Sequence, residues 1–295
     1  EVLPDIPSPN RSPLVDLPAT SGMNSVCSFV SRDGGWTNGC LTVNYADDLG
    51  RSIETARNGY TAQGSNLVSL QEYDSWGRKG NTWLEAAKDT LAGTYLSPAQ
   101  CKTLAASTNG SDSRPYMETV YEESPLNRPI RQYGPGQDWK SKGKALNSVY
   151  TSNSNFAGEL HCMKFAAGEK TTVGMTVTAT GYYDGGSLQV VKTTDEDGKI
   201  QLEFTTRNGS KVLSRQVELK GSAQVYYDTY YLYDGAGNLR AVLPPELSAK
   251  ALATGSLSKT ELDKYAYLYA YDSFRRLSDR KLPGADSVSY THLRA

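Results

Sequence analysis

The stretch "YAYLYAYDSFRRLS", residues 265–278, places tyrosine at every second position and then changes to aspartate and arginine. Side chains alternate between the two faces of a β-strand, so this spacing predicts one face of tyrosines and one of small apolar residues. We expect the small residues to pack against a neighbouring layer and the tyrosines to form a cross-strand ladder, each pair contributing about 0.2–1 kcal/mol. The two faces consist of Tyr265, Tyr267, Tyr269 and Tyr271, and of Ala266, Leu268 and Ala270.

Asp272 ends this stretch, and the turn that it begins recurs along the chain. The frame is an aromatic residue, aspartate, two variable residues, glycine and arginine, as in "YDSWGRKG" from Tyr73 and "YDGAGNLR" from Tyr233. The tyrosine closes the incoming strand, the aspartate caps the turn, and the glycine takes the left-handed conformation before arginine begins the outgoing strand. The predicted turn residues are Asp47, Gly50, Arg51, Tyr73, Asp74, Gly77, Arg78, Tyr233, Asp234, Gly237, Tyr271 and Asp272.

Three positions depart from this frame. Ala46 replaces the tyrosine of the first turn, Asn238 replaces an arginine, and Arg275 stands where the last turn should have glycine. A side chain at that position disfavours the left-handed conformation. We therefore expect a different or strained turn at residues 272–276.

Composition sets the class of protein. The 295 residues suffice for one large β domain or two smaller units. Lys and Arg total 31 against 32 for Asp and Glu, which gives no electrostatic basis for binding nucleic acid or anionic lipid. Tyrosine outnumbers phenylalanine by 20 to 5, which suits a β-sheet whose rings pack while their hydroxyls bond outward. No apolar run reaches the roughly 18–20 residues of a membrane helix, so we expect no membrane span.

Short β-type segments separated by Asp, Asn and Gly run from Leu41 onward, so the predicted fold is all-β with antiparallel hairpins. The clearest meander covers residues 175–220, where "DEDGK" and "RNGSK" supply hairpin turns. Two short helical excursions are predicted, one at "SPAQCKTLAAS" behind Ser97 and one at "SKTELDKY" behind Ser258. Five of the 13 prolines fall in the first eighteen residues, and residues 1–40 are interpreted as an extended leader.

The repeated frame resembles that of the Rhs/YD-repeat family, most closely the type found in Bacteroidota. The resemblance implies a shell of tyrosine–aspartate hairpins at residues 166–288. It also implies a preceding β-rich domain of unknown function at 41–165, marked by "NYADDLGRSIET" and "YEESPLNRPIRQYGPGQDWK". The final "SYTHLRA", residues 289–295, resembles a translated adapter sequence, so we expect a truncated fragment with a non-native tail that includes His292.

Few residue combinations suggest chemistry. His161 and Cys162 are neighbours, which point to opposite faces of a strand, so a structural role is expected. Glu122 and Glu123 diverge for the same reason and do not form a glycosidase carboxylate pair. Cys27 and Cys40 either form a disulfide or are half-buried thiols, as the count of four cysteines leaves open.

The acidic turn at residues 195–199 does not fit a calcium loop. With Asp195 and Asp197 at the third and fifth positions of an EF-hand, the twelfth residue would be Phe204 instead of the required glutamate. The alternating lysines Lys140, Lys142 and Lys144 indicate a solvated loop or a charged sheet edge. We therefore expect no metal, no cofactor and no catalytic residue.

Two functions remain after these exclusions. The resemblance implies a non-catalytic wall segment of a secreted or cell-surface protein that encloses or presents a C-terminal toxin domain. Its partners would be the further repeats and the cargo domain of the same chain. The alternative is an adhesion or glycan-binding module in which Tyr265, Tyr267, Tyr269 and Tyr271 stack on sugars. An enzyme is the third possibility, for which the sequence names no substrate.

Overall fold

A computed structural model describes residues 19–32, 39–58, 66–88, 93–168 and 175–289. The first eighteen residues of the predicted leader and residues 290–295 of the predicted tail lie outside this range. The chain divides into two compact units, residues 1–145 and 146–295. No helix within the described ranges is both long and apolar enough to cross a membrane.

The first unit is built from antiparallel strands in the order β1-β2-β3-β4-β5-β7-β8, and β6 adds a second pairing to β4. One strand, β1, arises within the predicted leader and pairs with β2. The elements are β1 (Asn24–Ser31), β2 (Gly39–Ala46), β3 (Ser52–Asn58), β4 (Asn66–Tyr73), β5 (Lys79–Trp83), β6 (Ala86–Lys88), α1 (Pro98–Thr108), β7 (Tyr116–Tyr121), β8 (Pro129–Tyr133) and α2 (Gln137–Ser141).

Alternating residues of β2, β3 and β4 form the core of the first unit. Every second side chain of these strands is buried, and α1 packs its own buried residues against β4 and β6. Helix α1 begins as predicted, with Pro98 in its first turn and the Ser97 side chain accepting from the Gln100 N–H. The buried set is Leu41, Val43, Tyr45, Ala56, Val68, Leu70, Ala86, Cys101 and Ala105.

The β1–β2 register separates the two cysteines for which a disulfide was one of two predicted states. Cys27 lies opposite Val43, and Cys40 lies opposite Val30. A disulfide requires Cα atoms about 4.4–6.8 Å apart. Residues on two paired strands are that close when they lie directly opposite each other, and Cys27 and Cys40 do not. The pairing therefore favours the interpretation of Cys27 and Cys40 as thiols.

The second unit contains a long antiparallel sheet in the order β9-β12-β13-β14-β15-β16-β18-β19-β20 and a small sheet β10-β11-β17. Its elements are β9 (Leu146–Ser152), β10 (Met163–Ala167), β11 (Val177–Tyr182), β12 (Gln189–Thr194), β13 (Ile200–Thr205), β14 (Lys211–Lys220), β15 (Ala223–Tyr233), β16 (Leu239–Leu243), α3 (Pro245–Thr254), β17 (Ser256–Leu257), α4 (Lys259–Tyr265), β18 (Tyr267–Tyr271), β19 (Leu277–Lys281) and β20 (Ser287–Ser289). The predicted all-β class is confirmed, and α2 and α3 form in addition to the two predicted helices. The meander predicted over 175–220 is present only in β12, β13 and β14, because β11 pairs with β10 and β17 instead of β12.

The tyrosine stretch is shorter as a strand than predicted. Ser258 and Glu261 form a reciprocal capping box that starts α4, and this helix continues through Tyr265. Strand β18 begins only at Tyr267, so Tyr265 is helical and does not share a strand face with the other three tyrosines. The small-residue face is buried as expected, since Ala266, Leu268 and Ala270 are at most 3% exposed.

The predicted tyrosine ladder on β18 is also wrong in its pairing. Tyr267 lies opposite Val242 of β16, and the partners of Tyr269 and Tyr271 on β19 are Arg280 and Leu277. Register depends on both strands of a pair, and the alternation within one strand does not reveal what faces it. The β18 tyrosines therefore lie opposite aliphatic and cationic residues of the neighbouring strands.

A buried ion pair joins β14 to β15 in the middle of the long sheet. Arg215 and Asp228 face each other in register, and two hydrogen bonds of 2.7 and 2.6 Å join the guanidinium to the carboxylate. The Arg215 Nη1 donates to the carbonyl oxygens of Glu159 and His161 at 2.8 and 3.0 Å. Both side chains are about 5% exposed. This pair therefore attaches the loop before β10 to the sheet.

Replacing Asp228 with asparagine leaves the Arg215 charge buried without its counter-ion. We expect D228N to lower the free energy of unfolding by about 3–5 kcal/mol, measured by urea denaturation at pH 7. The matched control is E203Q, which removes the half-exposed partner of Lys211 and should cost less than about 1 kcal/mol. Equal losses in the two variants would contradict a special role for the buried pair.

Candidate functional site

The turns predicted from the repeated frame share one backbone geometry. In the turn at residues 74–78, Asp74 N–H donates to the Arg78 carbonyl and Gly77 N–H donates to the Asp74 carbonyl, each at 2.9 Å. Gly77 has φ of +79°, and the β4–β5 register shifts between Gln71 and Tyr73, next to the turn. This is a type I turn followed by a left-handed residue, a common three-residue hairpin connection. The turns that begin at Asp47, Asp234 and Asp272 have the same two backbone bonds.

The aspartate carboxylate closes each turn from inside. One oxygen of Asp74 accepts from the N–H groups of Trp76 and Arg78, both at 2.9 Å, and the other accepts from the Arg78 Nε at 2.7 Å. The side chain thus satisfies two backbone donors and one guanidinium at once. The same three-bond pattern recurs at Asp47 with Arg51 and at Asp272 with Arg276.

Two of the departures from the frame leave the turn intact. The Asn238 side-chain amide donates to Asp234 at 3.0 Å and takes the place of the arginine Nε. Arg275 adopts φ of +61° and keeps the glycine's hydrogen bond to the Asp272 carbonyl, at 3.0 Å. Of the two outcomes expected at residues 272–276, a different turn or a strained one, the structure has the strained turn. A left-handed conformation costs a side-chain-bearing residue about 1–2 kcal/mol, so the strain remains.

A third turn of this kind in the first unit was not recognised from the sequence. Tyr121 closes β7, and the Glu122 carboxylate then binds the Arg128 guanidinium through bonds of 2.8 and 2.7 Å. Between them Asn127 takes the left-handed conformation with φ of +53°. The frame is the same with glutamate for aspartate and two extra residues. The sequence signal was Tyr-Glu followed by Asn-Arg, which mirrors Tyr-Asp followed by Gly-Arg.

Hydrogen bonds to these carboxylates hold their pKa values low. Side-chain bonds from Arg128 and Ser124 lower the pKa of Glu122 from 4.5 to about 2, although burial opposes the shift. The Arg51 side chain and backbone N–H lower the pKa of Asp47, and the Arg276 backbone N–H lowers that of Asp272. For Asp74 and Asp234, burial raises the pKa but hydrogen bonds from Arg78 and Asn238 outweigh it. The turns are therefore built around ionised side chains.

The tyrosine of one turn reaches sideways to the hairpin before it. The Tyr73 hydroxyl donates to the Ser52 carbonyl at 2.9 Å, and its ring lies 4.5 Å from the Arg51 guanidinium carbon. Tyr121 repeats both contacts one hairpin further on. Its hydroxyl donates to the Lys79 carbonyl at 3.0 Å, and its ring lies 4.6 Å from the Arg78 guanidinium carbon. We call this pair of contacts the tyrosine latch.

The second unit contains the hydroxyl half of the latch. The Tyr233 hydroxyl donates at 2.9 Å to the carbonyl of Lys211, the residue after the turn at 206–210. That turn has the same backbone bonds, with the Thr206 hydroxyl accepting the Ser210 N–H at 3.2 Å in place of a carboxylate. Asp195 likewise caps a turn of this type, in which it accepts from Asp197 and Lys199.

The tyrosines proposed as a binding face are placed in different surroundings. Tyr265 ends α4 and is 41% exposed, and Tyr267 begins β18 and is 37% exposed. Tyr269 and Tyr271 are half-buried, and burial raises the pKa of Tyr271. The structure therefore leaves two partly exposed rings at the junction of α4 and β18.

The residues considered for catalysis have structural surroundings. Cys162 is buried, and burial raises the pKa of its thiol to about 12. The His161 ring stacks on Tyr182 with 3.8 Å between ring centroids, and burial together with Arg215 lowers its pKa. No hydrogen bond joins the two side chains among the described residues. The described ranges also contain no group of three or more acidic, histidine or cysteine side chains that could hold a metal ion.

The solvated loop predicted for the lysines at 140–144 fits Lys142, which is exposed in a turn, and Lys144, which precedes β9, but not Lys140. Lys140 belongs to helix α2, and Lys142 caps the end of this helix. The Lys140 ammonium pairs with Glu118 of β7 and lies 5.0 Å from the centre of the Tyr133 ring. Alternation alone did not reveal the helix, because Gly136 begins it without a side-chain cap.

Comparison with known proteins supports the architecture. Residues 37–152 match the family described as "Domain of unknown function (DUF6443)", where a domain of unknown function was expected over residues 41–165. No curated protein sequence matches the chain.

The fold is similar to that in a structure of the Photorhabdus luminescens Tc holotoxin pore, with a TM-score of 0.54 and 12% identity over 90% of this chain. A TcdB2-TccC3 crystal structure gives a TM-score of 0.52 and 13% identity over 84% of this chain. The chain spans about 11% of the length of either of these chains. At these identities the likeness is one of fold.

The low pKa of Glu122 makes a pH-dependent contribution to the stability of the first unit. Because its folded pKa of about 2 lies below the ordinary value of 4.5, the contribution is present above pH 4.5 and is lost as the pH falls towards 2. We expect E122Q to flatten this part of the curve of unfolding free energy against pH. Urea denaturation between pH 2 and 7 measures it. The control E123Q, at the exposed neighbour, should keep the wild-type slope.

Replacing Arg275 with glycine removes the left-handed strain in the last turn. We expect R275G to raise the free energy of unfolding by about 1 kcal/mol, because relief of strain exceeds the added freedom of the unfolded chain. Thermal and urea denaturation measure the change. The control S273G lies in the same turn without positive φ and should lower stability by about 0.5 kcal/mol. A loss of stability in R275G would show that the strain is absent.

Proposed function

We propose that this chain is a non-catalytic wall segment of a secreted or cell-surface Rhs/YD-repeat protein of the Bacteroidota type. The full protein would enclose or present a toxin domain located C-terminal to residue 295. The partners of the segment are then the further hairpins and the cargo domain of its own chain. In this role the ordered tyrosine and aspartate residues maintain a surface and carry out no reaction.

The observation that carries the proposal is the tyrosine latch. Each latch joins a turn to the hairpin before it, so the contact propagates along the sheet for as long as the frame repeats. The turns at 47–51, 74–78 and 122–128 are two strands apart and lie at the same end of their sheet. A repeated contact between neighbours is how elongated β architectures extend without a single central core.

The comparisons support a large assembly. The solved structures that share the fold contain the Tc holotoxin pore and TcdB2-TccC3, and this chain spans about one ninth of their length. A segment of such a fold contributes surface area to a larger enclosure. The high thiol pKa of Cys162 also fits a role without nucleophilic chemistry, because a thiol with a pKa of about 12 stays protonated at neutral pH.

The proposal is tested by reading the source DNA past the codon for Ser289. We expect the open reading frame to continue into further Tyr-Asp-x-x-Gly-Arg turns and then a divergent C-terminal domain. Expressed together, the repeats should protect that domain from added protease, while the C-terminal domain expressed alone should be cleaved. A native stop codon shortly after Ser289 would contradict the enclosure. Equal protease sensitivity in the two preparations would contradict it as well.

One observation favours the alternative of a glycan-binding module. Tyr265 and Tyr267 are 41% and 37% exposed, which is enough for their rings to stack against a sugar. A glycan array probed with the wild-type chain and with Y267A distinguishes the two functions. Binding that is lost in Y267A at unchanged stability would support the module, and absence of binding leaves the wall segment.

A further inference from the structure

Large apolar side chains stand at the same position of three neighbouring turns in the first unit. Leu49, Trp76 and Leu126 are 77%, 79% and 68% exposed. The N–H groups of Leu49 and Trp76 donate to the capping aspartates of their turns at 3.0 and 2.9 Å, and the Leu126 N–H donates to the Ser124 hydroxyl at 3.2 Å. A single exposed apolar residue is ordinary, but these three recur one residue before the left-handed position of three neighbouring turns at one end of the sheet. We call them the tip row.

Direct contacts fix the order of the tips. The Arg51 guanidinium lies against Gly77, close enough that a Cβ there would approach its Nη1 to 2.8 Å. The Arg78 Nη1 donates to the Glu122 carbonyl and the Asn127 side chain at 3.2 and 3.3 Å. Each hairpin is two strands wide and neighbouring strands lie about 4.8 Å apart, so successive tips are about 9.6 Å apart. The row is therefore about 19 Å long and one side chain wide.

This footprint fits a single peptide segment. A stable interface between globular proteins needs about 800 Å² on each partner, which a line of three side chains does not supply. A polyproline II helix presents every third residue on one face at intervals of about 9.3 Å, close to the tip spacing. A β-strand repeats a face at about 6.8 Å, and two turns of an α-helix span about 10.8 Å. The spacing favours the polyproline II form.

The charges beside the tip row indicate which residues the peptide should have at its two ends. Within the row the carboxylates of Asp47, Asp74 and Glu122 bind arginines of their own turns, so their charges are balanced. The two exposed carboxylates beside the tips, Asp48 next to Leu49 and Glu123 near Leu126, lie at opposite ends of the row. A peptide with a basic residue at each end complements this arrangement.

We propose that the tip row binds an extended proline-rich peptide with apolar side chains at every third residue and basic residues at both ends. The tips contact the apolar side chains, with the Trp76 indole at the centre of the contact. Aromatic surfaces that bind polyproline II segments work in this way, because the peptide loses little conformational entropy on binding. The proposal does not depend on the proposed wall function.

The test uses the full chain and the synthetic peptide RPLPPLPPLPR, with binding followed by calorimetry and tryptophan fluorescence. We expect binding that W76A weakens at least tenfold, since a central aromatic side chain dominates such contacts. The matched control is F274A, which removes the equally exposed residue at the same position of the turn at 272–276 in the second unit. This variant should bind like the wild-type chain.

Two further peptides test the charge and the spacing that the tip row should recognise. The peptide EPLPPLPPLPE should bind more weakly, and RLPLPLPLPLR, with leucine at every second residue, should lose most of the affinity. Equal affinity for W76A and the wild-type chain would overturn the proposal, as would equal affinity for the two spacings. Association of the chain with phosphatidylcholine vesicles through Trp76, without peptide binding, would assign the row to a lipid surface and overturn it too.

Discussion

The structure depends on one carboxylate that serves three donors in the same turn. At Asp47, Asp74 and Asp272, the side chain accepts two backbone N–H groups and one arginine Nε, which fixes both the turn and the first residue of the outgoing strand. Ionisation strengthens each of these bonds. Where the arginine is replaced, as at Asn238, another donor takes the same place and the turn persists.

A fixed turn has a second consequence, because it positions groups for the neighbouring hairpin. The arginine that bonds to its own aspartate also presents the face of its guanidinium, and the following tyrosine packs against it. The tyrosine hydroxyl then reaches a carbonyl at the start of the outgoing strand. The arginine of each turn therefore links the hydrogen bonds within that turn to the contact with the neighbouring hairpin. The buried Arg215–Asp228 pair plays a comparable part in the middle of the second unit, where it joins a strand pair to a distant loop.

The local features of this fold were largely predictable from the sequence. The turn frame predicted hairpins wherever Asp is followed three residues later by Gly, and the caps at Ser97 and Ser258 predicted α1 and α4. Features that depend on two distant segments were not predictable. The partners of Tyr269 and the pairing of Arg215 with Asp228 require the register between strands. Helix α3 begins with Pro245 in its first turn, a start signal that was overlooked.

The candidate site shows the same division. The role of each aspartate followed from turn chemistry alone, but the latch joins residues more than twenty positions apart and appears only in the structure. Glu122 was missed because two extra residues lengthen its turn and hide the frame. At Arg275, where a different or a strained turn was expected, the turn is the strained one. The surrounding hydrogen bonds hold the turn even without glycine, so local strain did not change the backbone path.

The measurement that tests this account most directly is a double-mutant cycle between Arg78 and Tyr121. In the turn at residues 234–238, Asn238 stands at the position of Arg78 and its side-chain amide donates to Asp234. R78N copies this arrangement, so it removes the guanidinium while keeping a donor for Asp74. Y121L removes the ring and hydroxyl. The account predicts a coupling free energy of about 0.5–1 kcal/mol between the two changes, from urea denaturation of the single and double variants. Effects that add within about 0.3 kcal/mol would contradict the latch.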